Sequence, residues 1–82
     1  MYELKYDKLF LKNFSKIKDK KQKESIIKQV DKIIKNPHIG KPMKYSRKGI
    51  REMYIKPYRL VYTFIILENV VIFIDIYHKD EL

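Results

Sequence analysis

Residues 51–62 read Arg51-Glu52-Met53-Tyr54-Ile55-Lys56-Pro57-Tyr58-Arg59-Leu60-Val61-Tyr62, and residues 70–79 read Val70-Val71-Ile72-Phe73-Ile74-Asp75-Ile76-Tyr77-His78-Lys79. These two stretches decide the fold. From Ile50 to Lys56 the side chains alternate, Met53 and Ile55 against Glu52 and Tyr54, which is the period-two pattern of a half-buried strand. Pro57 lacks an amide donor, so the chain must turn there or lie at a sheet edge. Tyr58 to Leu67 is a long β-branched and aromatic run, and Glu68-Asn69 reads as a two-residue hairpin turn lacking the preferred glycine. Val70 to Tyr77 is apolar at nearly every position, which predicts a strand flanked on both sides.

The N-terminal half carries a different periodicity. Tyr2, Leu4 and Tyr6 alternate with Glu3 and Lys5 and predict a first strand. Asp7 suits a helix N-cap, because its carboxylate can accept an amide left free in the first turn. Phe10, Phe14 and Ile17 follow at helical spacing, with Leu9 and Leu11 widening the stripe. Asp19 to Lys23 reads as a tight connection. A second helix gathers Ile26, Ile27, Val30, Ile33 and Ile34 on one face and ends at Asn36-Pro37. Residues 38–49 form a loop punctuated by Gly40, Pro42 and Gly49. The order strand, helical hairpin, three-stranded meander predicts an α+β fold with an antiparallel sheet and both helices on one face.

At 82 residues the chain accommodates one domain, residues 1–82. It has no cysteine, so neither a disulfide framework nor a thiolate metal site is expected, and a reducing, cytoplasmic setting fits. With two histidines a closed zinc site is not expected either, and neither is any cofactor. The opening residues lack the pattern of a secretory leader, and Leu60 to Leu67 is far shorter than the roughly 20 residues that span a bilayer. The closing Lys79-Asp80-Glu81-Leu82 spells a retrieval signal that has no meaning without entry into a secretory pathway. No membrane partner is expected.

The formal net charge is +9, unevenly placed. Residues 1–37 hold eleven lysines against five acids; residues 38–63 hold seven Lys or Arg against Glu52 alone; residues 64–82 are net acidic. A dense cationic field on so small a domain attracts polyanions, nucleic acid first among them. The central group, Lys41, Lys44, Arg47, Lys48, Arg51, Lys56 and Arg59, is interleaved with Tyr45, Tyr54 and Tyr58. Cations of this kind bind phosphates and tyrosine rings stack on unpaired bases. The same residues could equally form a solvated loop over core tyrosines. Arg59 differs from the rest, because a guanidinium inside an apolar strand must be paired or line a cleft. An Arg59–Asp75 ion pair is one solution. The expected strand pairing argues for the other, since it places Arg59 on the face of His78 and Asp75 on the opposite one.

Metal-independent RNA cleavage requires a base for the 2′-hydroxyl, cations around the developing phosphorane and an acid for the leaving 5′-oxygen. Arg59 and Arg51 are the candidates for charge. His78 is a candidate for one proton transfer, and Glu52 or a neighbouring lysine for the other. Lys44, Arg47, Lys48, Lys56, Tyr58 and Lys79 are the candidate RNA-binding residues.

The two quoted stretches resemble the RelE/ParE toxin superfamily of toxin–antitoxin modules, Tyr58-Arg59-Leu60-Val61-Tyr62 most specifically, and the helical hairpin and strand order agree along nearly the whole chain. The resemblance implies a RelE-like, microbial RNase-like α+β fold and a cognate acidic antitoxin that wraps the toxin. In the RelE branch it implies cleavage of mRNA on the ribosome; in the ParE branch, inhibition of DNA gyrase without nuclease activity. It also implies that Arg59 contacts the scissile phosphate and that His78 lies where several members place a general acid or base. The strand before Pro57, which supplies lysines in the RelE branch, offers Glu52, Tyr54 and Lys56 here, and a tyrosine used beyond the last strand is not reached.

Overall fold

The structure, a computed structural model, describes residues 2–43 and 49–81. The chain runs β1 (Glu3–Tyr6), α1 (Lys8–Ser15), α2 (Lys20–Lys35), β2 (Lys41–Pro42), β3 (Ile50–Ile55), β4 (Tyr58–Ile65) and β5 (Val70–His78). The five strands form one sheet in the order β1-β5-β4-β3-β2. The meander β3-β4-β5 is antiparallel, as its short connections require, and β5 is flanked on both sides. The N-terminal strand adds at the edge in parallel with β5, pairing Glu3 with Val70 and Tyr6 with Phe73, so the sheet is not wholly antiparallel. The helical hairpin and three other strands lie between β1 and β5 in sequence, so no tight turn joins the two and a parallel pairing is open to them.

Both helices start on an aspartate. Asp7 accepts from the amide of Leu9 at 2.9 Å, and Asp19 accepts from that of Gln22 at 3.0 Å. Each satisfies one of the amides that a helix start leaves unpaired, an arrangement worth about 1 kcal/mol. Asp19 therefore opens α2, and the connection between helices falls before it rather than across Asp19 to Lys23. The apolar stripes meet one face of the sheet: Phe10, Ile17, Ile26 and Ile33 pack with Leu60, Tyr62, Val71, Phe73 and Ile76. Burying each such side chain stabilises the fold by about 1.5–3 kcal/mol.

Two irregularities set which residues face where. The β4–β5 connection is longer than the two-residue turn expected: Ile66–Glu68 form a 3-10 turn and Asn69 adopts a left-handed conformation with φ 54°. An asparagine tolerates this conformation better than most residues. Farther along, the pairing slips by one residue, because Tyr62 pairs with Phe73 but Val61 pairs with Asp75. The longer turn shifts the register by two and keeps every side chain on its face. The bulge shifts it by one and exchanges the faces beyond it. As a result Arg59 pairs with Tyr77, and His78 pairs with Tyr58. The expectation that Arg59 and His78 share a face is thus reversed.

Candidate nucleic-acid interface

The face of the sheet turned away from the helices carries Glu52, Tyr54, Arg59 and Tyr77. Tyr54 is directly across from Arg59, and Glu52 is two residues away from Tyr54 along β3. This diagonal spacing is within reach of long side chains on a common face. Arg59 Nη1 donates to Glu52 Oε1 at 3.3 Å, and its guanidinium carbon lies 5.9 Å from the centre of the Tyr54 ring. Arg59 Nε is buried and has no hydrogen-bond partner among the described residues. With side chains 40% and 22% exposed, Arg59 and Glu52 form a partly wet pair, not a sealed ion pair. The contribution of such a pair to stability is small, on the order of 1 kcal/mol or less.

Glu52, Tyr54 and Arg59 line an open cleft of about 570 Å³ together with Ile39, Gly40, Lys41, Met53 and Lys79. That volume is in the range of ligand sites, about 300–1,000 Å³. Three cations and one carboxylate surround an exposed phenol ring. The arrangement can hold an anion against Arg59, take up a proton at Glu52 and give one up from an ammonium. Lys79 is held near the β3–β4 turn by its amide, which donates to the Pro57 carbonyl at 2.9 Å.

One wall of the cleft, the segment around residues 37–41, is fixed from the helix side. The Tyr62 hydroxyl donates to the Pro37 carbonyl at 2.8 Å and accepts from the Gly40 amide at 2.8 Å. Tyr62 is fully buried, and desolvation raises its phenol pKa above 10.0, although the Gly40 hydrogen bond and the Arg51 charge act to lower it. Gly40 is required here, since a Cβ would come within 2.8 Å of Cζ of Tyr62. Arg51 Nη1 completes the clamp by donating to the carbonyls of Gly40 at 2.7 Å and His38 at 3.2 Å.

Of the sequence-predicted residues, Arg59, Glu52 and Lys79 come together in the cleft. Arg51 pairs with Tyr62 on the helix side, so it lies on the sheet face opposite Arg59. His78 also stands on the helix side, edge-on to Tyr58 with ring centres 5.7 Å apart. Its Nδ1 accepts from the Asp80 amide at 3.2 Å. Tyr58 donates to Gln22 of α2 at 3.3 Å and does not face the cleft. Lys56 is exposed in the β3–β4 turn. Asp75, turned toward α1 at the bulge, accepts from Asn13 Nδ2 and from the Ile76 amide, both at 2.7 Å, and not from Arg59. Lys44, Arg47 and Lys48 lie outside the described residues. Sequence reasoning missed Tyr62 as the anchor of the cleft wall; its signal was its place two and four residues from Leu60 and Tyr58 on the core face of β4.

The sequence profile described as "ParE toxin of type II toxin-antitoxin system, parDE" matches residues 4–82. The chain belongs to this family of the RelE/ParE toxin superfamily. The toxin is 33% identical, over its whole length and 90% of the relative's, to a protein of Methanocaldococcus jannaschii named as a toxin, RelE4. Its fold is that of RelE in the E. coli RelBE toxin–antitoxin complex, with TM-score 0.83, 23% identity, and 99% and 100% of the two chains covered. The RelE–RelB complex of Pyrococcus horikoshii gives TM-score 0.77 at 15% identity, covering 99% and 98%. No helix among the described residues is long and apolar enough to cross a membrane.

Proposed function

We propose that this toxin is a ribosome-dependent mRNA endonuclease whose cleft on the outer sheet face is the active site. The observation that carries the reading is Arg59 beside Glu52, at 3.3 Å, in an open cleft shared with Lys41 and Lys79. Arg59 stabilises the negative charge that develops on the phosphorane, Glu52 takes the proton from the 2′-hydroxyl, and a cleft ammonium protonates the leaving 5′-oxygen. The protein's own cations supply the charge for the cleavage step. In this reading Arg51 positions the cleft wall from behind, and His78 takes no part in the chemistry. Lys44, Arg47, Lys48 and Lys56 add attraction for the phosphate backbone.

The partner in the resting cell is an acidic, amphipathic antitoxin. An apolar groove between α1 and α2, lined by Tyr6, Leu11, Phe14, Ile27 and Val30 on a lysine-rich hairpin, suits such a segment. RelE proteins of the same fold are found in complex with RelB. Association should be fast and salt-sensitive. The toxin acts in the cytoplasm, where ribosomes meet mRNA.

A second reading, inhibition of DNA gyrase without cleavage, is favoured by the ParE profile and by the absence of an imidazole on the Arg59 face among the described residues. Primer extension on a reporter mRNA incubated with ribosomes and the purified toxin separates the two. Discrete cuts that disappear in Arg59→Ala support the endonuclease. Intact mRNA together with blocked supercoiling by gyrase would replace it with the second reading.

A further inference from the structure

The cleft holds one group that the cleavage chemistry does not use. Tyr54 lies on the outer sheet face, half its surface exposed at 51%, directly opposite Arg59. The two tyrosines of β4 have structural partners: Tyr58 reaches Gln22 and His78, and Tyr62 bonds Pro37 and Gly40. Tyr54 has the Arg59 guanidinium over its ring, 5.9 Å from the centre, and the opening of the cleft around it. Arg59 has a single carboxylate partner and a side chain 40% exposed, so its guanidinium has donors to spare and the cleft is short of acceptors. An incoming phosphate would supply them. A half-exposed ring and a cation with donors to spare are the two partners that a nucleotide needs, a π-face for its base and a charge for its phosphate.

We propose that Tyr54 is the base-stacking platform of the cleft and that one unpaired nucleotide of single-stranded RNA binds there, base on Tyr54 and phosphate on Arg59. This rests on the endonuclease reading for its substrate class and adds the subsite that holds the base. Every base has a π-face, so stacking tolerates sequence but requires that a base be present. Purines, with the larger ring system, are held better than pyrimidines. The pairing of Tyr54 with Arg59 across β3 and β4 fixes the spacing between the two subsites, because both side chains rise from one rigid ladder.

The test is equilibrium binding of a short single-stranded RNA, and of the same RNA with one abasic position, to the intact chain at low salt. Stacking of one base is worth about a 5- to 150-fold difference in affinity. The wild type and Tyr54→Phe should show that difference between the two RNAs. Tyr54→Ala should bind both alike, at the level the wild type reaches with the abasic strand. Since the chain contains no tryptophan, Tyr54→Trp introduces a single indole, excited apart from the tyrosines, whose emission should be quenched by the intact RNA and not by the abasic one. Equal discrimination by Tyr54→Ala and wild type overturns the platform and leaves the endonuclease reading intact. Tyr54-dependent binding without any mRNA cleavage upholds the platform and overturns the endonuclease. Absence of RNA binding by the wild type overturns the platform, and the endonuclease reading is then decided by primer extension with ribosomes alone.

Discussion

Tyr62→Phe removes one oxygen atom from the fully buried clamp between β4 and the cleft wall. The change leaves the Gly40 amide without its acceptor and the Pro37 carbonyl without its donor, both across 2.8 Å bonds. A buried group stripped of its partner costs about 1–3 kcal/mol, and water has little room to compensate beside a side chain with no exposed surface. The expected loss is about 2–4 kcal/mol, from a total that for this length is about 4–12 kcal/mol. For a domain of this size that corresponds to a fall in Tm of roughly 10–30 °C. Urea unfolding of both proteins, followed by circular dichroism, measures it. The pH dependence provides an internal check. The phenol pKa of Tyr62 is raised by burial above its unfolded value of 10.0, so its contribution is complete below pH 10 and lost as pH rises through the folded value. The gap between wild type and Tyr62→Phe should therefore narrow above about pH 10. A difference below about 0.5 kcal/mol at neutral pH, the size of an ordinary surface substitution, would refute the clamp.

Other substitutions probe the remaining contacts. Arg59→Ala should abolish most cleavage, a loss on the order of 10²–10⁴ in rate, while the melting temperature barely moves because the Glu52 pair is partly wet; Asp75→Asn should neither rescue nor worsen it. Asn13→Ala unties α1 from Asp75 at the bulge and should cost about 1–2 kcal/mol in urea unfolding without altering RNA affinity. His78→Gln should leave the cleavage rate in the primer-extension assay unchanged; a fall matching that of Arg59→Ala would place the imidazole in the chemistry. Ile33→Ala, at a side chain with no exposed surface, should lose about 2–5 kcal/mol by the same unfolding assay.

The elements were legible where local chemistry specifies them. Asp7 before an apolar stripe, the break at Asn36-Pro37, and the alternation of Met53 and Ile55 with Glu52 and Tyr54 each have a short-range cause, and each element is found where it was expected. Asp19 was misplaced by one role: it was read as connection because the lysines after it carry no apolar signal, although a cap needs only the amides beyond it. The edge position and parallel direction of β1 are long-range outcomes that its own four residues do not encode. The site was legible in its members and not in its grouping. Arg59, Glu52 and Lys79 were singled out, yet His78 and Arg51 fall on the far face. For His78 the cause is one extra residue, since nothing in Phe73-Ile74-Asp75 announces a bulge, and a bulge reverses every inference drawn from alternation beyond it. Arg51 was grouped by charge alone, while its neighbour Glu52 already marked the opposite face.

The alternation along β4 has a consequence for genetics. Tyr58, Leu60 and Tyr62 look inward while Arg59 looks outward, so the strand that anchors the fold is also the floor of the cleft. Cells that survive expression of the toxin should therefore carry two separable classes of lesion. Changes at the inward positions will remove the protein itself, leaving low abundance and no titration of the antitoxin. On the proposed function, changes at Arg59, or at Glu52 and Tyr54 on the neighbouring strand, should leave a folded, abundant and harmless protein that still sequesters antitoxin and so sensitises the cell to any active toxin made beside it.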